Sequence, residues 1–155
     1  MDNEYIINTE TLAIVPINKK KSKIYENEGV FIINKSAKRI IEDNCSYFGS
    51  TYDGRKKSTS KLIGVTHKAP ILIEETNELI FFPTTSPRLN DCTWIALNQI
   101  DNYQRYDECE SMISFQNDAK LLVNVSNKSI ENQVMRATRL GSVLRQKKKK
   151  KISNK

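Results

Sequence analysis

The three cysteines, Cys45, Cys92 and Cys109, lie far apart, so no two have the spacing of a metal-ligand pair, and their odd number leaves no complete disulfide framework. Free thiols in a reducing cytoplasm are expected. No apolar run exceeds four residues, as at 30–33 and 79–82, far short of the roughly 20 that a membrane-spanning helix needs. Asp2, Glu4 and Glu10 stand where a secretory signal would carry cations. The expectation is a soluble cytoplasmic protein without a membrane partner. His67 is the one histidine, and no Ser/His/Asp order, glycine-flanked nucleophile or paired-carboxylate spacing accompanies it. Neither an enzyme nor a bound cofactor is expected, and no internal repeat is visible.

Positive charge is plentiful, but unevenly placed. The formal net charge is +7, yet residues 1–127 hold 15 Lys/Arg against 17 Asp/Glu, while residues 128–155 hold 10 against 1. The body is slightly acidic and the excess belongs to the C-terminal end. Nucleic-acid binding by the body therefore has to rest on local clustering rather than on pI.

A length of 155 residues suits one domain, and 38% hydrophobic content implies a modest core. Residues 4–8, 11–17 and 22–33 read as short strands, with a hairpin at Asn27-Glu28-Gly29. A helix follows, capped by Asn34 or Ser36, with Ala37, Ile40, Ile41, Cys45 and Phe48 on one side and Gly49 as its stop. Its outer surface pairs Lys38 with Glu42 and Arg39 with Asp43. An exposed loop is expected over 49–60, then strands at 62–66, 71–74 and 79–82, the last two joined as a hairpin and ended by Pro83. A polar loop over 84–91 carries Pro87 and Arg88. Trp94 sits in a strand at 92–97, and 111–115 with 120–125 form a further hairpin. A second helix over 129–144 carries Ile130, Val134, Ala137 and Leu144 along one stripe, with Gly141 weakening it. The expected fold is α+β: predominantly antiparallel β-hairpins packed with two helices, one domain over 1–146 and a disordered lysine-rich tail over 147–155.

The stretch 45–68, CSYFGSTYDGRKKSTSKLIGVTHK, concentrates aromatics, glycines, hydroxyls and five cations. Tyr52, Arg55, Lys56, Lys57, Lys61, His67 and Lys68 are the candidate DNA-binding residues. Cations there would neutralise phosphates, and an arginine beside Gly54 can enter the narrow minor groove of A-tracts. An ordinary charged surface loop has the same composition, so composition alone leaves both readings open. Gly49 and Gly54 have P-loop spacing, but Arg55 and Lys56 stand where that motif needs Lys and Ser/Thr, and a helix precedes where a strand should. Zinc held by Cys45, His67, Cys92 and Cys109 is disfavoured because every ligand is isolated. Trp94, Phe81 and Phe82 read as core aromatics. Arg136 and Arg139 share a helix face suited to solvent, phosphate or a partner.

The runs CSYFGSTYDGRK (45–56), THKAPILI (66–73) and LIFFPT (79–84), with Trp94-Ile95 and ENQV (131–134), resemble the ComK competence transcription factors of low-GC Gram-positive bacteria. The resemblance extends from about residue 10 to about residue 140. It implies a nucleoid-associated activator of DNA-uptake genes that binds double-stranded DNA at A/T-rich promoter boxes, largely through the minor groove. It also implies a homo-oligomer, dimeric or higher, controlled by an adaptor-dependent protease that recognises the C-terminal part. Family members continue some tens of residues past the last helix, so a shortened or interrupted form is expected here. The alternatives are a truncated, non-activating module that associates with other regulatory proteins, and polyanion binding by the lysine tail alone.

Overall fold

Antiparallel pairing begins with a meander of β1 (Thr11–Asn18), β2 (Lys21–Glu26) and β3 (Gly29–Ile33) in the computed structural model, which describes residues 3–153. Asn18 makes the first turn with its own side chain, its Oδ1 accepting the Lys20 N–H at 2.8 Å. The second turn sets Glu26 opposite Gly29, so the hairpin expected at residues 27–29 is present.

A second meander, β4 (Ile71–Glu74), β5 (Leu79–Pro83) and β6 (Trp94–Ala96), joins the first where β6 pairs with β1, Ile95 facing Ala13 and Trp94 facing Ile14. The result is one six-stranded sheet in the order β3-β2-β1-β6-β5-β4. A separate three-stranded sheet consists of β7 (Ile100–Arg105), β8 (Ser111–Phe115) and β9 (Lys120–Val123).

The large sheet is buried on both faces, which explains why its central strands read as unbroken apolar runs rather than alternating ones. Ile14, Ile24, Ile71, Ile73, Phe81 and Trp94 enter one core with α1 (Ala37–Tyr47) and α2 (Tyr52–Ile63). Leu72, Ile80, Phe82 and Ile95 enter the other with the small sheet and α3 (Asn127–Ser153). The mixed α+β class and its antiparallel hairpins are thus as expected, and Trp94, Phe81 and Phe82 are fully buried.

Helix α1 starts where the sequence places it. Ser36 is the cap, its Oγ accepting the Arg39 N–H at 3.2 Å, and Gly49 leaves the helix at φ +88°. Residues 4–8 are not a strand. Their backbone is tied instead to the buried Asn44, whose Oδ1 accepts the Ile7 N–H at 2.8 Å while its Nδ2 donates to the Tyr5 carbonyl at 2.9 Å.

Among the described residues there are three α-helices rather than two, because the loop expected over 49–60 is helical from Tyr52 onward. Thr51 caps α2 with its Oγ1 accepting the Gly54 N–H at 2.9 Å, Asp53 sits in the first turn, and Gly64 closes the helix at φ +72°. A Cβ on Gly54 would lie 2.8 Å from that same Thr51 Oγ1, so the cap itself demands glycine. The strand expected at 62–66 is the end of this helix and the coil after it. Strand β7 was not anticipated: only Ile100 and Tyr103 are half-buried in a segment whose other positions are polar and exposed.

Helix α3 begins at Asn127 and runs past the expected end at Leu144 through the lysine run to Ser153. Lysine is a good helix former and its charge suits a helix C-terminus. Lys147 to Lys151 are exposed, as expected of a solvated segment, but helical where a disordered tail was expected; residues 154–155 lie outside the described residues. No described helix is long and apolar enough to cross a membrane.

Candidate nucleic-acid interface

Helices α1 and α2 meet at the short turn after Gly49, and this places Tyr52 at the first position of α2 with its ring driven into the core. The ring packs edge-on against Trp94, centroids 6.3 Å apart at 81°, a geometry worth about 0.5–1.5 kcal/mol beyond burial. Lys38 Nζ, from α1, lies 5.4 Å from the Tyr52 centroid and Lys56 Nζ, from α2, lies 5.5 Å from it. Two ammonium groups from different helices thus share one aromatic ring. Burial, with smaller contributions from Cys92, Cys45, Glu42 and Asp53, pushes the Tyr52 phenol up to about 12. The ring stays neutral and cannot itself offset the lysines.

This ring forms one wall of a cavity of about 280 Å³. Lys38 and Lys56 line it from the helices, Thr66, His67 and Lys68 from the segment after α2, and Ser86 and Arg88 from the loop after β5. No carboxylate of the described residues lines it. Five basic side chains from four separate stretches of chain therefore converge on a concave surface, with two hydroxyls among them.

The segment carrying His67 and Lys68 is held from both sides. Thr59 Oγ1, on α2, donates to the Pro70 carbonyl at 2.7 Å. Gln133, buried on α3, donates from Nε2 to the Lys68 carbonyl at 2.9 Å and to the Pro83 carbonyl at 2.7 Å. Arg136 Nη1 donates to Gln133 Oε1 at 3.2 Å and to the His67 carbonyl at 3.4 Å. Lys68 itself sits at φ +51°, a left-handed backbone that a non-glycine residue adopts only where its surroundings enforce it.

Of the seven predicted residues, Tyr52, Lys56, His67 and Lys68 come together at the cavity. Lys57 and Lys61 lie one turn apart on the exposed stripe of α2, outside it. Arg55 points elsewhere: its side chain is 14% exposed, its Nη1 lies 3.4 Å from Glu75 Oε1, and it lines a groove with Leu62, Leu72 and Leu144. Burial there makes Arg55 a link between α2 and the β4–β5 hairpin.

Lys38, Arg88 and Arg136 were not among the predicted site residues. Lys38 leans over Tyr52 rather than simply facing solvent beside Glu42, whereas Arg39 does pair with Asp43, at 2.9 Å, and Lys35 joins them at 2.6 Å. Those two cations, through their hydrogen bonds and charge, hold the Asp43 carboxyl below its ordinary value against the opposing effect of burial. No spacing in the sequence connects residues 38, 56 and 88; only the fold does.

Cys45 and Cys92 are buried and Cys109 is exposed, all with free thiols. Burial pushes the Cys45 thiol up to about 11 and raises that of Cys92, which keeps both protonated and unreactive. No group of three or more His, Cys, Asp or Glu among the described residues is placed to hold a metal ion.

The model of the ComK protein family matches residues 2–149. The chain belongs to the ComK family. It is 33% identical over 135 residues to a competence transcription factor of Bacillus subtilis (strain 168), an overlap covering 85% of this chain and 70% of that relative. No solved structure matches this chain. The resemblance read from about residue 10 to about residue 140 thus extends over nearly the whole chain, and the run CSYFGSTYDGRK builds the turn and helix that place Tyr52 and Lys56.

Proposed function

We propose that this ComK-family chain is a competence transcription regulator that binds A/T-rich double-stranded DNA, with the cavity around Tyr52 as its phosphate-contacting centre. The observation that carries the reading is the convergence of Lys38, Lys56, His67, Lys68 and Arg88 on one concave surface that no carboxylate of the described residues lines. The four cations among them, Lys38, Lys56, Lys68 and Arg88, repel one another, and a phosphodiester entering the cavity converts that repulsion into attraction while releasing counterions. Arg88, carried next to Pro87 on an exposed loop, is the side chain placed to enter a narrow minor groove, where electronegativity marks A-tracts. The name of the Bacillus subtilis relative supports the regulatory role. Control by a protease adaptor belongs to the same family reading.

A gel shift with an A/T-box duplex against G/C-rich competitor, at two salt concentrations, tests the assignment. Selective binding that weakens steeply with salt is expected; equal competition by G/C-rich DNA would exclude the A/T reading. Arg55 and Lys56 separate in this assay. Lys56→Ala lowers affinity and reduces the salt slope by about one phosphate. Arg55→Ala leaves the slope unchanged and lowers Tm, because it removes a largely buried link to Glu75. If instead Arg55→Ala reduced the slope at unchanged Tm, Arg55 would be a phosphate contact and the division made here would be wrong.

A further inference from the structure

The six-stranded sheet has two edges, and among the described residues only one is covered. At one end β4 packs beneath α2, with Ile71, Leu72 and Ile73 buried. At the other end β3 exposes three successive large apolar side chains, Val30 at 53%, Phe31 at 38% and Ile32 at 44%. Strand edges present unpaired N–H and C=O groups that template further pairing, and proteins normally blunt them with charge, proline, a bulge or a cover. Residues 29–33, GVFII, contain neither charge nor proline, and their register with β2 runs unbroken from Ser22–Ile33 to Glu26–Gly29.

We propose that β3 pairs antiparallel with β3 of a second copy of this chain, fusing two six-stranded sheets across a two-fold axis. The strand's own character selects this occupant. An antiparallel pair related by a two-fold axis perpendicular to the sheet keeps opposite residues on the same face. Centred on Phe31, such a pair sets Val30 opposite the partner's Ile32, and Phe31 opposite the partner's Phe31. On one face the row running Tyr25–Val30 across the sheet then continues into the partner's Ile32 and Lys23. On the other, each Phe31 is backed by Tyr5, whose ring centroid lies 5.5 Å away, so four aromatic rings line up. No charge is set against an apolar side chain in the paired segment. The edge strands of the small sheet offer no such match, since β7 carries Asp101 and Arg105 and β9 carries Lys120.

The same axis leaves the faces of the sheet unexchanged, so the α1/α2 sides of both copies face one direction. If the DNA-binding assignment holds, two cation-lined cavities are then presented together; the pairing itself does not depend on that assignment. One short strand pair with a few apolar side chains falls at the small end of specific interfaces, so a weak, concentration-dependent dimer is expected.

Sedimentation velocity over a concentration series, without DNA, tests the proposal. The wild type should shift from monomer to dimer. Val30→Lys with Ile32→Lys sets lysine opposite lysine twice and should weaken the dimer at least tenfold. Val30→Lys with Ile32→Glu sets lysine opposite glutamate in this register and should restore most of the loss. Both positions are exposed, and circular dichroism checks that the fold persists. Phe31→Cys in a Cys109→Ser background should cross-link across the axis, whereas Thr76→Cys in the same background should not. A wild type that stays monomeric, a dimer indifferent to the double lysine, or a Lys/Glu variant as weak as the Lys/Lys one would each overturn the pairing. A dimer that behaves as expected but shows no DNA affinity would overturn only the DNA assignment.

Discussion

Removing Lys38, Lys56 and Arg88 together by alanine substitution is expected to lower affinity for an A/T-box duplex on the order of a hundredfold near physiological salt. The log-log salt slope should fall by about 2.7, roughly 0.9 for each of three cations removed, since a guanidinium in the narrow groove also offsets the phosphate charge on either side of it. The three side chains come from α1, α2 and the loop after β5, so the variant removes one wall contribution from each stretch without touching the apolar packing of Tyr52 on Trp94. Thermal stability should change little, because the loss of two cation–π contacts on Tyr52 is offset by relief of repulsion among the three cations. Replacing Lys57 and Lys61 on the outer stripe of α2 gives the comparison that locates the duplex. A smaller loss there places the nucleic acid in the cavity. An equal or larger loss places it along the helix, and a triple variant with an unchanged slope would remove the cavity from the interface altogether.

The parts of this fold that were legible in the sequence are those fixed by local rules. The Glu26–Gly29 hairpin, the Ser36 cap, the Gly49 stop, the β4–β5 and β8–β9 hairpins and the start of the last helix each follow from residues within a few positions of one another. Helix α2 was hidden because its formation rests on a capping hydrogen bond and on tertiary burial of Tyr52 and Thr59, not on periodic apolar residues. Its interior carries Gly54, Ser58, Thr59 and Ser60, all poor helix formers, so propensity pointed to a loop. The Thr51–Gly54 cap and the Gly64 stop were the available signals. Strand β7 was hidden for the opposite reason: it contributes only Ile100 and Tyr103 to a core and leaves its remaining positions to solvent.

The site was legible in composition but not in geometry. The cationic stretch 55–68 was visible, but the split of Arg55 from Lys56 was not, since adjacent helix residues point about 100° apart and only the packing of α2 shows which one turns inward. Lys38 illustrates the same limit. Its spacing to Glu42 fits an ion pair on an isolated helix, where such pairs are worth only about 0.2–0.5 kcal/mol. An aromatic face supplied by the next helix competes easily with an interaction that weak. The lysine run shows how charge density alone misjudges conformation. Arg145 reaches Glu78 on the β4–β5 hairpin at 2.7 Å, and Gly141 lets the helix approach closely enough for a Cβ there to lie 3.3 Å from Ile80 Cδ1. The glycine that weakens the helix locally is the one that allows it to dock.

Gln133→Met is expected to lower stability on the order of 3 kcal/mol, because it removes the donor for two carbonyls while keeping the side chain's volume. For a domain of this size that corresponds to a fall in Tm of about 10 °C. Gln133 is almost fully buried, and it is the group that ties the Lys68 and Pro83 carbonyls to α3. Without it, the buried Pro83 bond and the part-buried Lys68 bond both lose their donor, and Lys68 loses a constraint that holds it at positive φ. Its backbone then relaxes, and His67 and Lys68 leave the cavity wall. DNA affinity should therefore fall as well, with a slope change smaller than that of the triple variant, because the cations remain but are no longer pre-positioned. Lys68→Gly separates strain from contact. In the wild type it relieves the left-handed backbone, worth on the order of 1 kcal/mol, whereas in the Gln133→Met background the relaxed loop leaves little to relieve. Additive stabilities in that cycle would mean that Thr59, bonded to Pro70, and Arg136, bonded to the His67 carbonyl, fix the loop without Gln133.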